Sequence, residues 1–224
     1  RDELVSSARF VVERLNREIR TALPNSLRVK SVDNVHCLEY TPIVLSTTYL
    51  DIPVAPEADR DTITVIKFEK ALFQNALYAA VYPLSNNDVY DAGQNKFFAL
   101  KASTDPDESD DPKWIITLAA DSNFAEESPT RRIYFTGNAV SYCAKENAIT
   151  RHSNYTRDSD GMPIETSTNK GVLMADLVDV ADGSPFNVIE ATLVRNAIVS
   201  VKLKFHRIDE DIYFNNEIQV PNVP

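Results

Sequence analysis

The apolar positions near the start of the chain follow a helical period. Leu4, Ala8, Val11, Val12, Leu15, Ile19 and Leu23 recur at intervals of three and four, forming one stripe along an amphipathic helix. Arg9, Glu13, Arg14, Arg17, Glu18 and Arg20 fill the remaining surface, with Glu13 and Arg17 in the favourable i, i+4 order. Pro24 and Asn25 end the pattern. A helix laid on its own domain accounts for the stripe, but Phe10 lies off it and predicts a second contact surface.

After Ser26 the period changes from helical to alternating. Short runs rich in Val, Ile, Tyr and Phe are separated by Pro, Asn, Asp and Ser. They predict strands over 35–40, 62–68, 77–82, 97–102, 114–120, 131–136, 139–143, 172–178, 197–205 and 217–220. The clearest is "AIVSVKLKF", in which Val199, Val201, Leu203 and Phe205 face inward and Ser200, Lys202 and Lys204 outward. With only 5 glycines in the chain, tight hairpins must rely on Asn and Asp. One helix followed by antiparallel strands predicts an α+β chain, with residues 1–25 helical and 26–224 a globular head forming a single domain with the helix.

Composition narrows the functional classes. A net charge of -10 disfavours nucleic acid, whose binding rests on neutralising phosphates with Lys and Arg. No run reaches the roughly 18 apolar residues that span a bilayer. The chain opens on Arg1, without an initiator methionine, which implies a trimmed N-terminus. The two cysteines, Cys37 and Cys143, lie in strand-like sequence and fit either a disulfide in an oxidising compartment or two buried free thiols.

Candidates for chemistry are few. His36, His152 and His206 show no metal-ligand spacing, and no phosphate loop, GxSxG elbow or HExxH motif occurs. No catalysis, cofactor or metal is expected. The acidic run "STDPDESDDPKW" places carboxylates at 105–111 that could attract calcium, though it lacks an EF-hand's glycine and spaced glutamate and reads more simply as a solvated loop. Asn154 matches a glycosylation pattern. Trp114, Tyr40, Tyr49, Tyr78 and Tyr82 would serve a carbohydrate-binding module as stacking surfaces, or simply fill a core.

Four blocks, in order, carry a family resemblance. They are "SARFVVERLNREIRTALPNSLRV", "HCLEYTPI" with "YLDIP", "RRIYFTGNAVSYCAKENAITRHSNY", and "ATLVRNAIVSVKLKF" with "EIQVPNVP". Together they resemble the minor pilins and pseudopilins of type IV filament systems, most closely the MshO-type minor pilins of the mannose-sensitive haemagglutinin pilus. The resemblance implies a type IV pilin-like α+β fold, with one long N-terminal amphipathic helix packed on antiparallel sheet. It implies that the opening helix is the lower half of a longer one whose hydrophobic half is missing.

It also implies a non-catalytic subunit that takes part in pilus assembly or initiation, at or near the filament tip. Its partners would be other minor pilins, the major pilin and, through the missing helix half, the inner membrane. The head would be periplasmic before assembly and extracellular afterwards. Leu4, Ala8, Val11, Leu15 and Ile19 would then pack helix on sheet, while Phe10, Arg9, Glu13, Arg14 and Arg17 would meet neighbouring subunits. Periplasmic maturation favours a Cys37–Cys143 bridge. A J-type pseudopilin of a type II secretion system and a tip adhesin are the alternatives.

Overall fold

In a computed structural model the described residues are 2–102, 112–155, 171–181, 183–192, 195–207 and 210–221, with side chains from residue 5 onward. They contain a helix α1 (Asp2–Ile19), a one-turn helix α2 (Asn86–Tyr90) and fifteen strands. The strands are β1 (Arg28–Val32), β2 (Val35–Tyr40), β3 (Ile43–Asp51), β4 (Arg60–Ile66), β5 (Tyr78–Val81), β6 (Phe97–Ala99), β7 (Lys113–Ser122), β8 (Arg132–Thr136), β9 (Val140–Lys145), β10 (Ala148–His152), β11 (Val172–Asp176), β12 (Val178–Asp179), β13 (Phe186–Ile189), β14 (Ala197–Arg207) and β15 (Glu210–Val220).

This corrects the expected fold class. The chain is mostly β, with one short helix of 18 residues and three antiparallel sheets, rather than a pilin-like long helix packed on a sheet. The physical reason is that the middle of the chain satisfies its own hydrogen bonds and core. The chain forms two compact units, one from residues 1–42 and 138–223 and one from 43–137. No helix among the described residues is long and apolar enough to cross a membrane.

In the first unit, five strands run in the order β1-β2-β9-β10-β11. The β1–β2 hairpin turns on Asp33 and Asn34, both at positive φ, so short polar side chains that tolerate this region stand where glycine is usual. A second sheet is built on β14, paired with β15 along its whole length and with β12 and β13 on the other side. Alternate residues of β14, from Ala197 to Phe205, are buried. They share a core with Leu38, Tyr142 and the α1 residues Ala8, Val11, Leu15 and Ile19, which are fully buried. Helix α1 contacts β11, β14 and β15, and Asn216 donates to Asn16 at 2.8 Å.

In the second unit, six strands run β6-β5-β8-β3-β4-β7. A bridge between Leu100 and Leu118, with the Lys101 amide donating to the Thr117 carbonyl at 3.0 Å, joins β6 to β7 and closes the sheet on itself. Its interior is filled by Ile63, Val65, Trp114, Ile116, Ile133 and Phe135, with Phe73 and Phe124 added from the connections.

Candidate functional site

Helix α1 ends where the backbone leaves helical geometry at 20–25. The Thr21 amide and hydroxyl both donate to the Glu18 carbonyl, the Leu23 amide turns to the Thr41 carbonyl at 2.8 Å, and Asn25 takes a positive φ of 61°. This turn sets the last helical residues over β2, β9 and β10. Strand alternation then decides which side chains meet them: Tyr40, Tyr142 and Arg151 all project toward the helix, because Tyr142 pairs across the sheet with Leu38 and with Arg151.

Glu18 sits at the centre of that junction. Its Oε1 accepts from Arg14 Nε at 2.8 Å. Its Oε2 accepts from the Tyr40 hydroxyl at 2.7 Å, Arg151 Nε at 2.9 Å and the Tyr142 hydroxyl at 3.0 Å. Burial pushes this carboxyl up, but the bonds from Tyr40, Arg14 and Arg151 outweigh it and hold the group at about 2. Burial and the Glu18 charge push the Tyr40 and Tyr142 hydroxyls in the opposite direction, far above their ordinary value. A carboxylate that accepts four bonds has little left to offer a substrate, and its phenols stay protonated at any physiological pH. The cluster therefore acts as a clamp between helix and sheet.

The opposite face of the same strands carries a second polar row. Cys37 and Cys143 face each other across β2 and β9 and form a disulfide. Beside them, buried Glu39 accepts from Arg28 Nε at 2.5 Å and from the Tyr155 hydroxyl at 2.7 Å, and that hydroxyl also contacts Ser141 Oγ at 2.5 Å. Buried His152 lies next in the row and contacts Thr150 Oγ1 at 2.9 Å through Nε2.

The outward side of α1 is the other candidate surface. Phe10 is 52 % exposed, and Arg9, Glu13 and Arg17 are exposed around it. Glu13 and Arg17, expected to pair, form no ion pair among the described residues; the helix pair that forms is Arg14–Glu18. Of the expected subunit-interface charges, Arg14 is thus committed to the clamp. The Leu4 side chain and the acidic run at 105–111 lie outside the described residues.

The three histidines are kept apart. His36 contacts Ser31 at 2.8 Å, His206 contacts Asp211 at 2.7 Å, and His152 belongs to the buried row. Among the described residues no group of three or more His, Cys, Asp or Glu is placed to hold a metal ion. Of the aromatics expected as stacking surfaces, Trp114, Tyr40 and Tyr49 are buried, while Tyr78 and Tyr82 are half-buried.

Sequence reading missed the clamp. Glu18 looked like one of several charges on the helix, and Tyr142 and Arg151 like parts of ordinary strands. A signal existed in the helical angle, since Glu18 stands one position from buried Ile19 and three from buried Leu15. Compared with family models, curated proteins and solved structures, the chain has no match.

Proposed function

We propose that the chain is a non-catalytic subunit of an extracytoplasmic filament, a minor pilin of the type IV kind that joins its neighbours through the outward side of α1. The observation that carries this reading is the division of α1 into two sides. One side is buried in the head and clamped through Glu18 and Asn16, and the other leaves Phe10 exposed beside Arg9, Glu13 and Arg17, which form no ion pair among the described residues. An exposed phenylalanine ringed by mixed charge suits recognition, with the ring supplying contact area and the charges selecting the partner.

Two further features support the reading. The Cys37–Cys143 disulfide suits maturation in an oxidising compartment. The four sequence blocks that resemble minor pilins include this helix and both bridged strands. The proposal needs the exposed helix side, not a pilin-like fold.

Photo-crosslinking from position 10, in the cells that make the protein, tests it. Crosslinks to filament subunits, together with loss of assembly in Phe10→Asp at unchanged melting temperature, are expected. Normal filaments in Phe10→Asp with no crosslinked subunit would overturn it.

A further inference from the structure

The outer face of the sheet built on β14 carries an aromatic that no core uses. Tyr213 on β15 is 64 % exposed, while its sequence neighbours Ile212 and Phe214 pack toward the core. Register places Tyr213 opposite Lys204 and Asn215 opposite Lys202, so the four side chains share one solvent-facing patch. A shallow groove of about 250 Å³ opens there, walled by Ser184 and Pro185 from the β12–β13 connection.

The two lysines differ in what they have left to offer. Lys204 Nζ is bound to Asp179 at 2.8 Å, has Asp211 at 3.6 Å, and lies 6.0 Å from the Tyr213 ring centroid. Its charge is spent, and it props one side of the ring. Lys202 is exposed and has no ion-pair partner among the described residues. His206 occupies Asp211 at 2.7 Å and Lys204 holds Asp179, which itself lines the groove, while exposed Glu217 lies next along the same face, opposite Ser200.

We propose that this face binds an acidic saccharide, a glycan containing a hexuronate unit. The flat ring of Tyr213 would take the C–H face of the sugar, an amphipathic match in which one side of the ligand is apolar and the rim is wet. Lys202 Nζ would pair with the carboxylate, and the Asn215 amide, which can both donate and accept, would serve the ring hydroxyls. The groove is smaller than the roughly 300 Å³ at which drug-sized sites begin, so it holds one sugar unit while its neighbours lie along the sheet. The net charge of -10 works against indiscriminate binding of polyanions, so capture must depend on this local arrangement.

This inference does not rest on the filament reading and can fail while that reading stands. The test titrates the full chain with trigalacturonate and, separately, with neutral maltotriose, by calorimetry and by amide shifts in two-dimensional NMR. Saturable shifts should map to 202–204 and 213–215, with trigalacturonate bound about tenfold more tightly than maltotriose. Tyr213→Ala should weaken trigalacturonate about tenfold, and Lys202→Gln should reduce it to the level of maltotriose. Both side chains are exposed, so melting temperatures should not move. The proposal is overturned by the absence of saturable shifts up to about 10 mM, by equal affinity for the two sugars, or by undiminished binding in Tyr213→Ala.

Discussion

Replacing Glu18 by Gln removes one charge from the junction of α1 with the five-stranded sheet while keeping the shape of the side chain. The carboxyl is held at about 2 against an ordinary 4.5, which at about 1.4 kcal/mol per pH unit amounts to about 3 kcal/mol favouring the charged form. The side chain is only 18 % exposed, so solvent screening does not erase this figure. Because the folded value is depressed, the stabilisation is fully present above about pH 4.5 and is lost as pH falls through about 2. Glu18→Gln should therefore be less stable by about 3 kcal/mol near pH 7, in line with breaking a partly buried pair and leaving Arg151 uncompensated. The gap should narrow on acidification and close near pH 2, since the other carboxylates titrate alike in both proteins and cancel.

Urea unfolding at a series of pH values, read by amide hydrogen exchange in β2 and β9, measures that gap where the clamp sits. The single tryptophan, Trp114, is buried in the closed sheet of 43–137 and reports that unit separately. A gap that stays constant with pH, or lies below about 0.5 kcal/mol near neutrality, would refute the assignment of Glu18 as a charged clamp.

Three further outcomes follow from the same unit. Iodoacetamide should leave the native and the urea-denatured protein unmodified until a reductant is added, after which two adducts should appear by mass. The Cys37→Ser, Cys143→Ser double variant should lose up to about 5 kcal/mol in urea titration, because the bridge closes a loop spanning 106 residues. Gly171→Ala should lower the melting temperature: Gly171 has a φ of +70°, and an added Cβ would stand 2.6 Å from His152 Cε1 in a buried ring. A melting temperature for Gly171→Ala equal to that of the parent would contradict the placement of His152.

The fold was legible where one side of an element is apolar and the other polar. The stripe on α1 and the alternation of β14 are of that kind, and both appear in the expected places. Strand β15 was foreseen only over its last four residues, because Asp211, Asn215 and Asn216 resemble turn residues. In the structure Asp211 and Asn215 are exposed on an edge strand, where Asp211 pairs with His206 and Lys204, and Asn216 is half-buried and bonded to the helix. Strand β3 was missed although "IVLSTTYLD" is rich in β-branched residues. The closure of residues 43–137 into its own sheet depends on long-range pairing of β3 with β8 and of β4 with β7, and no local pattern encodes that.

The candidate site was hidden for a different reason, which lies in the strands β2 and β9. Their sequences, "VHCLEY" and "VSYCAK", are buried along most of their length, so alternation of apolar and polar residues does not mark an inside and an outside. Alternation instead sorts two polar sets onto opposite faces. Tyr40 and Tyr142 go to the helix side and meet Glu18. Glu39, Ser141 and the bridged Cys37 and Cys143 go to the other side, where Arg28 and Tyr155 complete the row. Several of these polar groups acquire a partner from an element distant in sequence, as Glu18 does from Arg151 at a separation of 133 residues and Glu39 from Tyr155 at 116. A one-residue slip of β2 against β9 would carry Tyr40 away from Glu18 and leave the two cysteines on opposite faces of the sheet. The disulfide and the Glu18 clamp therefore enforce the same register from opposite faces of one sheet. Glu18→Gln combined with loss of the bridge should then cost more than the two separate losses together, because either feature alone still holds the strands in place.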